Sequence, residues 1–234
     1  MPAHRFTFYL PSLSSDAREL EIGGDEHHHL ARVLRLGVGE VIAATNGRGL
    51  LVEGEIVSTG KARSTARVAR VVEEAAPRRR IVLALSLLPR AHFEQAIAQC
   101  VEVGVTGIVP VIAEKCHAKR IDLARAQRVA VAAMKQSGRS WLPTLENPRT
   151  VDTLAREVEA GNRGRAFVGD QDGSPMPPAV ADHAIVLVGP EAGFSDGEMT
   201  RLDKTGATRV ACGEYRLRAE TAAVVMVSSL AQSV

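Results

Sequence analysis

The residues best suited to chemistry lie late in the chain, in Gly189-Pro-Glu-Ala-Gly-Phe194 and in Ala211-Cys-Gly-Glu-Tyr-Arg-Leu-Arg-Ala-Glu-Thr-Ala222. Gly189, Gly193 and Gly213 carry no Cβ, so backbone N–H and C=O groups there can come close to a flat adenine or a ribose and read its edge. Glu191, Arg216, Arg218 and Glu220 add groups able to take a proton or to face developing negative charge. The same pattern also describes two ordinary strand-to-helix turns, and spacing alone leaves both readings open.

The elements that must position these groups follow from periodicity. Ala184 to Val188 is a short branched run that reads as a buried strand and breaks at Gly189-Pro190. Ser195 and Glu198 have the spacing of a reciprocal capping box at the start of the next helix. A second strand, Thr208 to Ala211, runs into Gly213, and a helix rich in small residues follows from Ala219 to Ala231. The two turns meet if the two strands are neighbours. Upstream, a strand over Ile81 to Leu87, a helix over Ala91 to Val103 and a strand over Ile108 to Ile112 form one βαβ step, so the sheet is expected to be largely parallel. Phe93, Ile97, Cys100 and Val101 mark the buried stripe of that helix. Further helices are expected over 121 to 137, ending at the cap signal Gln136-Ser-Gly138, and over Thr150 to Ala160. Ala166 to Val168 opens another strand, and Gly169 to Pro178 reads as a polar, Pro-rich loop. Trp141 is read as a packed plug, and Glu102, near a helix end, as a carboxylate with a specific partner.

The first 75 residues have a different pattern. Arg5 to Tyr9, Glu40 to Thr45, Leu50 to Ser58 and Ser64 to Val72 read as short strands at close spacing, as in a small barrel. Glu26 to Leu36 reads as a helix with Leu30, Val33 and Leu34 on one side. Arg32 and Arg35, three apart, would then face one groove, which Arg48 could extend. His27-His28-His29 invites a metal, but neighbouring helical residues point apart and zinc wants four ligands, so no metal is expected. Asp170 and Asp172 likewise lack a surrounding ligand pattern. Ala76 to Arg80 reads as a linker, dividing the chain into domains 1–75 and 76–234.

A chain of 234 residues can bury a sizeable core. The formal net charge of +2 means that nucleic acid would have to be met by a local basic patch. Cys100, Cys116 and Cys212 lack paired metal spacing and read as reduced thiols. With no leader pattern and no apolar run long enough for a bilayer, a soluble cytoplasmic protein without a membrane partner is expected.

Gly189-Pro-Glu-Ala-Gly-Phe194 with Leu217-Arg-Ala-Glu-Thr-Ala222 resembles the signatures of the bacterial 16S ribosomal RNA uridine-N3 methyltransferases, a branch of the S-adenosylmethionine-dependent SPOUT superfamily. Further similar blocks are His28-His-Leu-x-x-Val-Leu-Arg35, Glu102-Val-Gly-Val-Thr-Gly-Ile-Val-Pro110 and Gln136-Ser-Gly-Arg139, so the resemblance spans nearly the whole chain. It implies an α/β fold with a C-terminal deep trefoil knot and a mostly parallel sheet, preceded by a PUA-like β-barrel. S-adenosylmethionine would be wrapped by the strand-end loop Val168–Gln171, by Gly189 to Gly193 and by Ala211 to Leu217, and held by Val168, Gly169, Leu187, Val188, Gly189, Pro190, Glu191, Gly193, Ala211, Cys212, Gly213 and Leu217. Arg218, Glu220 and Glu191 would carry the chemistry, with Arg218 favouring loss of the N3 proton. RNA would meet Arg5, His28, His29, Arg32, Arg35, Arg48, Arg139, Arg216 and Arg218. The implied partners are 16S ribosomal RNA in the assembled small subunit and a second copy of the chain, with no DNA. Ala192, Tyr215, Ala219 and Lys135 depart from the family pattern, which expects glycine, arginine, threonine and glutamate there. The alternatives are a non-catalytic RNA-binding or assembly protein with this fold, and a methyltransferase acting on another RNA, such as transfer-RNA ribose.

Overall fold

The computed structural model describes residues 6–177 and 182–232. The chain divides into two compact units: one takes the chain up to Ala76 together with Met134–Leu142, the other Pro77–Ala133 and the chain from Pro143 onward.

The first unit contains β1 (Thr7–Tyr9), β2 (Glu19–Gly23), α1 (Gly24–His28), β3 (Val41–Thr45), β4 (Leu50–Thr59) and β5 (Arg63–Glu73). The strands form one sheet in the order β1-β3-β4-β5-β2, parallel between β1 and β3 and antiparallel elsewhere. The register between β4 and β5 shifts at Glu53/Gly54 and again at Ile56/Ser58, and such bulges bend and twist a ribbon so that one face can close over its own side chains. Phe8, Leu20, Ile22, Leu30, Ile42, Val52 and Ile56 fill that face. β2 was not anticipated, although Glu19-Leu-Glu-Ile-Gly23 alternates buried and exposed positions as a half-buried strand should.

The helix expected over Glu26 to Leu36 is corrected. Only Gly24–His28 is α-helical, and His29–Leu34 continues as a π-helix. The wider π turn keeps Leu30 in the core but leaves Val33 58% exposed, so the expected Leu30, Val33 and Leu34 stripe does not form. Arg35 then leaves the helix in the left-handed region at φ 57°, so Arg32 and Arg35 do not share a helical face. Trp141 packs in this unit, as expected of a plug: its indole N–H donates to the Glu74 carbonyl at 3.1 Å, and a Cβ at Gly49 would stand 2.6 Å from its ring.

The second unit is built from β6 (Arg80–Ser86), α2 (Arg90–Glu102), β7 (Gly107–Ile112), α3 (Leu123–Gln136, whose end belongs to the first unit), β8 (Thr144–Leu145), β9 (Arg149–Thr150), α4 (Val151–Glu159), β10 (Arg165–Pro175), β11 (His183–Val188), α5 (Asp196–Lys204), β12 (Thr208–Ala211) and α6 (Ala219–Gln232). Its sheet runs β12-β10-β11-β6-β7-β8, with β9 also on β7, and every pairing is parallel. β6, β7 and β11 are almost continuously buried, as strands covered on both faces must be. The Glu102 side chain is exposed and makes no hydrogen bond or ion pair with the described residues of this chain.

One further correction concerns Gly169 to Pro178. The described part is not a free loop: β10 continues to Pro175 and pairs with β12 twice, through Gly169 and again through Ser174, both opposite Val210. Residues 170–173 form an excursion inside a strand, and Gly173 lies so close to β12 that a Cβ would meet the Val210 nitrogen at 2.6 Å. Pro178 lies outside the described residues.

Arg163 ties the connector before α4 to the end of that helix. Its guanidinium donates to both Glu146 oxygens at 2.7 and 2.8 Å and to Glu157 at 2.5 and 2.7 Å, with its side chain only 11% exposed. The hydrogen bonds from Arg163 hold the Glu146 carboxyl below its ordinary pKa, against the opposing effect of burial. Arg163→Met, which takes both guanidinium bonds from Glu146 while Glu157 keeps Arg149 at 3.3 Å, is expected to lower the unfolding free energy by about 3 kcal/mol in denaturant titrations. Because Glu146 has its pKa depressed by folding, that contribution is present above the ordinary carboxylate pKa and is lost as pH falls through the depressed value, so the gap between wild type and variant should narrow in acid.

Candidate active site

The carboxyl ends of β10, β11 and β12 open onto a cavity of about 460 Å³. β11 and β12 are not neighbours, because β10 lies between them, yet the turns that follow both of them line this cavity. The strand end that had been read as a loop therefore supplies the middle of the floor. Ligands in open parallel sheets collect at this carboxyl edge, where strand ends free their backbone groups.

Gly169, Val188, Gly189, Pro190, Glu191, Gly193, Cys212, Gly213 and Leu217 all line the cavity. Val168 and Leu187 do not: they sit one residue earlier in their strands, with side chains buried in the sheet. Ala211 borders a neighbouring groove with Gly173, Met176 and Met226 instead. Asp170, Gln171 and Tyr215, which lie in the segments expected around the cofactor, also line the wall, and so do Val210, Ala219 and Ala222, which were outside them. The alternation of a strand end and the first turn of a helix would have suggested Val210 and Ala222.

The turn after β11 is held from several sides. Ser195 Oγ accepts from the Glu198 N–H at 3.2 Å, and the Glu198 carboxylate accepts from the Ser195 N–H at 2.9 Å, completing the expected capping box. The other Glu198 oxygen accepts from the Glu114 N–H at 2.8 Å, and Lys115 Nζ donates to the Phe194 carbonyl at 3.0 Å. Inside the turn, a Cβ on Gly189 would lie 3.1 Å from the Phe194 nitrogen and 3.3 Å from Gly193 backbone atoms, so glycine is needed for the fold-back. Across the mouth, Arg216 donates to the Glu191 carbonyl at 2.7 Å. Asp170 is engaged by Arg209 at 3.0 Å. Burial raises the Cys212 thiol pKa, so that side chain enters the wall as a neutral group.

Arg218 and Glu220 take different places. Arg218 is exposed on the cavity wall and makes no side-chain hydrogen bond or ion pair with the described residues; its carbonyl accepts from Ala222 N–H as α6 begins. Glu220 does not line the cavity. It is 4% exposed and lies 3.0 Å from Nδ1 of His92 on α2. His92 was not singled out in the sequence, since nothing local connects it with a residue 128 positions away.

The remaining basic candidates belong to the first unit. His28, His29, Arg32, Arg35 and Arg48 are exposed. His29 meets the Phe8 ring edge-on, and Arg48 donates to the Pro11 carbonyl at 2.8 Å. His27 is buried with its Nδ1 3.1 Å from Ser64 Oγ. Arg139 follows a glycine-capped helix end: Gly138 has φ 70°, its N–H donates to the Lys135 carbonyl, and the Arg139 N–H donates to the Met134 carbonyl. Partial burial pulls the Arg139 guanidinium pKa down. Arg5 lies outside the described residues. Among those described, no cluster of three or more His, Cys, Asp or Glu could hold a metal ion.

Residues 64–231 match the RNA methyltransferase domain family, and residues 22–69 match the RNA methyltransferase PUA domain. The chain therefore belongs to the RNA methyltransferase domain family, within the SPOUT superfamily, and its first unit is PUA-like. Among its relatives, ribosomal RNA small subunit methyltransferase E from Mycobacterium bovis is 29% identical over 238 residues, covering 95% of this chain and 90% of that protein. The enzyme of the same name from Synechocystis is 29% identical over 213 residues, covering 87% and 69%. A methyltransferase from Legionella pneumophila, solved with bound S-adenosylmethionine, superposes with a TM-score of 0.86 at 26% identity over 96% of both chains. Ribosomal RNA small subunit methyltransferase E from Neisseria gonorrhoeae, at 24% identity and a TM-score of 0.88 over 97% of both chains, shares the fold.

His92→Leu leaves the buried Glu220 carboxylate without its imidazole. It is expected to lower the unfolding free energy by about 1 to 3 kcal/mol. Adding Glu220→Gln, which removes the charge, should return part of that loss. Urea titrations of the two single variants and the double variant check both statements.

Proposed function

We propose that the protein transfers a methyl group from S-adenosylmethionine to N3 of one uridine in the 16S ribosomal RNA of the small subunit. The observation that carries this reading is the glycine-walled cavity at three parallel strand ends in a chain of this family. Its volume falls in the range of roughly 300 to 1,000 Å³ usual for sites that enclose a cofactor-sized ligand. The close turn at Gly189 and the open backbone at Gly213 suit the adenosine part, and the small side chains Ala219 and Ala222 leave room beside the start of α6. The cofactor supplies an electrophilic methyl group on a positively charged sulfur.

The chain's own residues have three tasks: to bind, to align the base and to manage one proton. Uridine N3 carries a proton that must leave as the N–CH₃ bond forms. Arg218, exposed on the cavity wall, places a fixed cation where it favours the N3 anion, by the same logic that lowers the pKa of an acid beside a guanidinium. Glu191 is exposed on the same wall and its carboxylate accepts the proton. Arg216, drawn to the Glu191 carbonyl, holds that turn shut. Glu220, buried against His92, fixes the start of α6 and so serves as a positioning residue for Arg218. In the PUA-like unit, His28, His29, Arg32, Arg35, Arg48 and Arg139 supply the phosphate contacts that set RNA register without reading its sequence. The enzyme works as a homodimer in the cytoplasm on the assembled subunit.

The test is to incubate the protein with S-adenosylmethionine and small subunits, naked ribosomal RNA or transfer RNA, and to identify the product by nucleoside mass spectrometry. The expected product is N3-methyluridine, formed fastest on small subunits. A methyl group on ribose, or none at all, overturns the reading. Arg218→Ala is expected to slow methylation by about 100-fold or more while cofactor affinity by calorimetry stays within about twofold. A collapse of cofactor affinity would instead put Arg218 on the cofactor.

A further inference from the structure

A second concavity, of about 170 Å³, lies in the same unit at the carboxyl ends of β6 and β7. Leu87, Leu88 and Phe93, all nearly fully buried, give it an apolar wall. Arg90, Arg120 and Arg125 stand around it. Because β6 lies beside β11, this slot opens on the same edge of the parallel sheet as the main cavity, with neighbouring strands about 5 Å apart.

The two sites are joined mechanically. One wall of the slot is the segment between β7 and α3, which carries Arg120. That segment is fastened to the turn of the main cavity by the Glu114 N–H on Glu198 and by Lys115 on the carbonyls of Phe194 and Ala192, at 2.8, 3.0 and 3.4 Å. The slot therefore keeps a fixed relation to Gly189–Phe194.

Its charge is set by which groups are already used. Glu94 is engaged by both ends of the Arg125 guanidinium, and the Asp122 carboxylate accepts from the Arg125 N–H at 2.9 Å. Arg90 is only 3.9 Å from Glu94 yet 78% exposed, and Arg120 is exposed with no hydrogen bond or ion pair among the described residues. Arg120 is thus left to face a ligand, and Arg90, held only by a long exposed contact to Glu94, can turn to it as well, above a floor that wants a flat apolar surface. The volume is well below the roughly 300 Å³ at which sites for larger ligands begin, so a single ring system is the matching size.

We propose that this slot is a nucleotide subsite that receives the base flanking the methylated uridine, with Arg90 and Arg120 on the adjoining phosphate. It rests on the reading of the main cavity as a uridine methylation site. Exposing N3 of a stacked base means parting it from its neighbours, and a separate seat for one neighbour keeps the strand splayed. Base seating on apolar and guanidinium surfaces combined with backbone cations is the general way single strands are held.

The experiment uses a short single-stranded RNA around the uridine mapped by mass spectrometry, and the same strand with an abasic residue on either side of that uridine. The full-length wild type and the Arg90→Ala/Arg120→Ala variant are titrated with each strand. Removing one flanking base should weaken wild-type binding about tenfold. The double variant should bind the intact strand about tenfold more weakly and lose nothing further when that base is removed, since two changes at one contact are not additive. Unchanged S-adenosylmethionine affinity in the variant reports an intact fold. Additive losses, a variant equal to wild type, or a wild type indifferent to both flanking bases overturn the subsite while leaving uridine methylation in place. A wild type that methylates no small-subunit RNA removes that reading, and the subsite falls with it.

Discussion

The site depends on one buried carboxylate. Glu198 is 4% exposed, and a carboxylate taken out of water at that depth persists only when its oxygens are hydrogen-bonded. One oxygen takes the Ser195 N–H and the other the Glu114 N–H. These are charge-assisted bonds to backbone, stronger than neutral ones and fixed in direction. The first makes the start of α5 rigid, which ends the Gly189–Phe194 turn at a defined place. The second ties that turn to the segment after β7. A residue that looks like an ordinary helix cap in the sequence is thus the joint between two loops at the sheet edge.

Because those loops are fixed, the cavity can be walled mostly by backbone and small side chains. Three parallel strands lie side by side in the order β12-β10-β11, and each delivers a glycine to the wall: Gly213 and Gly189 past the ends of β12 and β11, and Gly169 where β10 leaves its ladder for the 170–173 excursion. Parallel strands have no hairpin to close their ends, so the freed N–H and C=O groups must be met by caps, by neighbouring loops or by a ligand. Lys115, Arg216 and Glu198 meet some of them. The rest face the cavity. The wall is therefore a consequence of sheet topology, with side chains such as Arg218 standing on it.

This division explains how much was legible in advance. The strands at 184–188 and 208–211, the capping box and the glycine turns are local patterns, and local patterns survive in a sequence. Strand order is not local: β10 lies between β11 and β12 although it precedes both, so the central place of Gly169, Asp170 and Gln171 in the floor could not be read. Gly169 to Pro178 misled for a related reason, since polar residues and glycine resemble a loop whether or not Gly169 and Ser174 both return to Val210. The π-helix was hidden as well, because Leu30, Val33 and Leu34 fit the α period better than the wider turn that the chain adopts. His92 and Glu220 meet only through the packing of α2 on α6.

Three of the positions that depart from the resembled pattern, Lys135, Ala192 and Tyr215, have surroundings that accommodate them. Lys135, where a glutamate is usual, lies 2.7 Å from Glu26, so the reversed charge has an acidic partner inside its own unit. Ala192 needs a negative φ to replace glycine, and among the described residues only Arg35 is a non-glycine with positive φ, so the methyl group is tolerated. Tyr215 occupies the place of an arginine but is 76% exposed at the cavity wall, while Arg216 beside it reaches the Glu191 carbonyl. In this chain the cation next to Tyr215 grips the turn. A site whose walls are backbone tolerates such exchanges, because what it must preserve is the path of the chain.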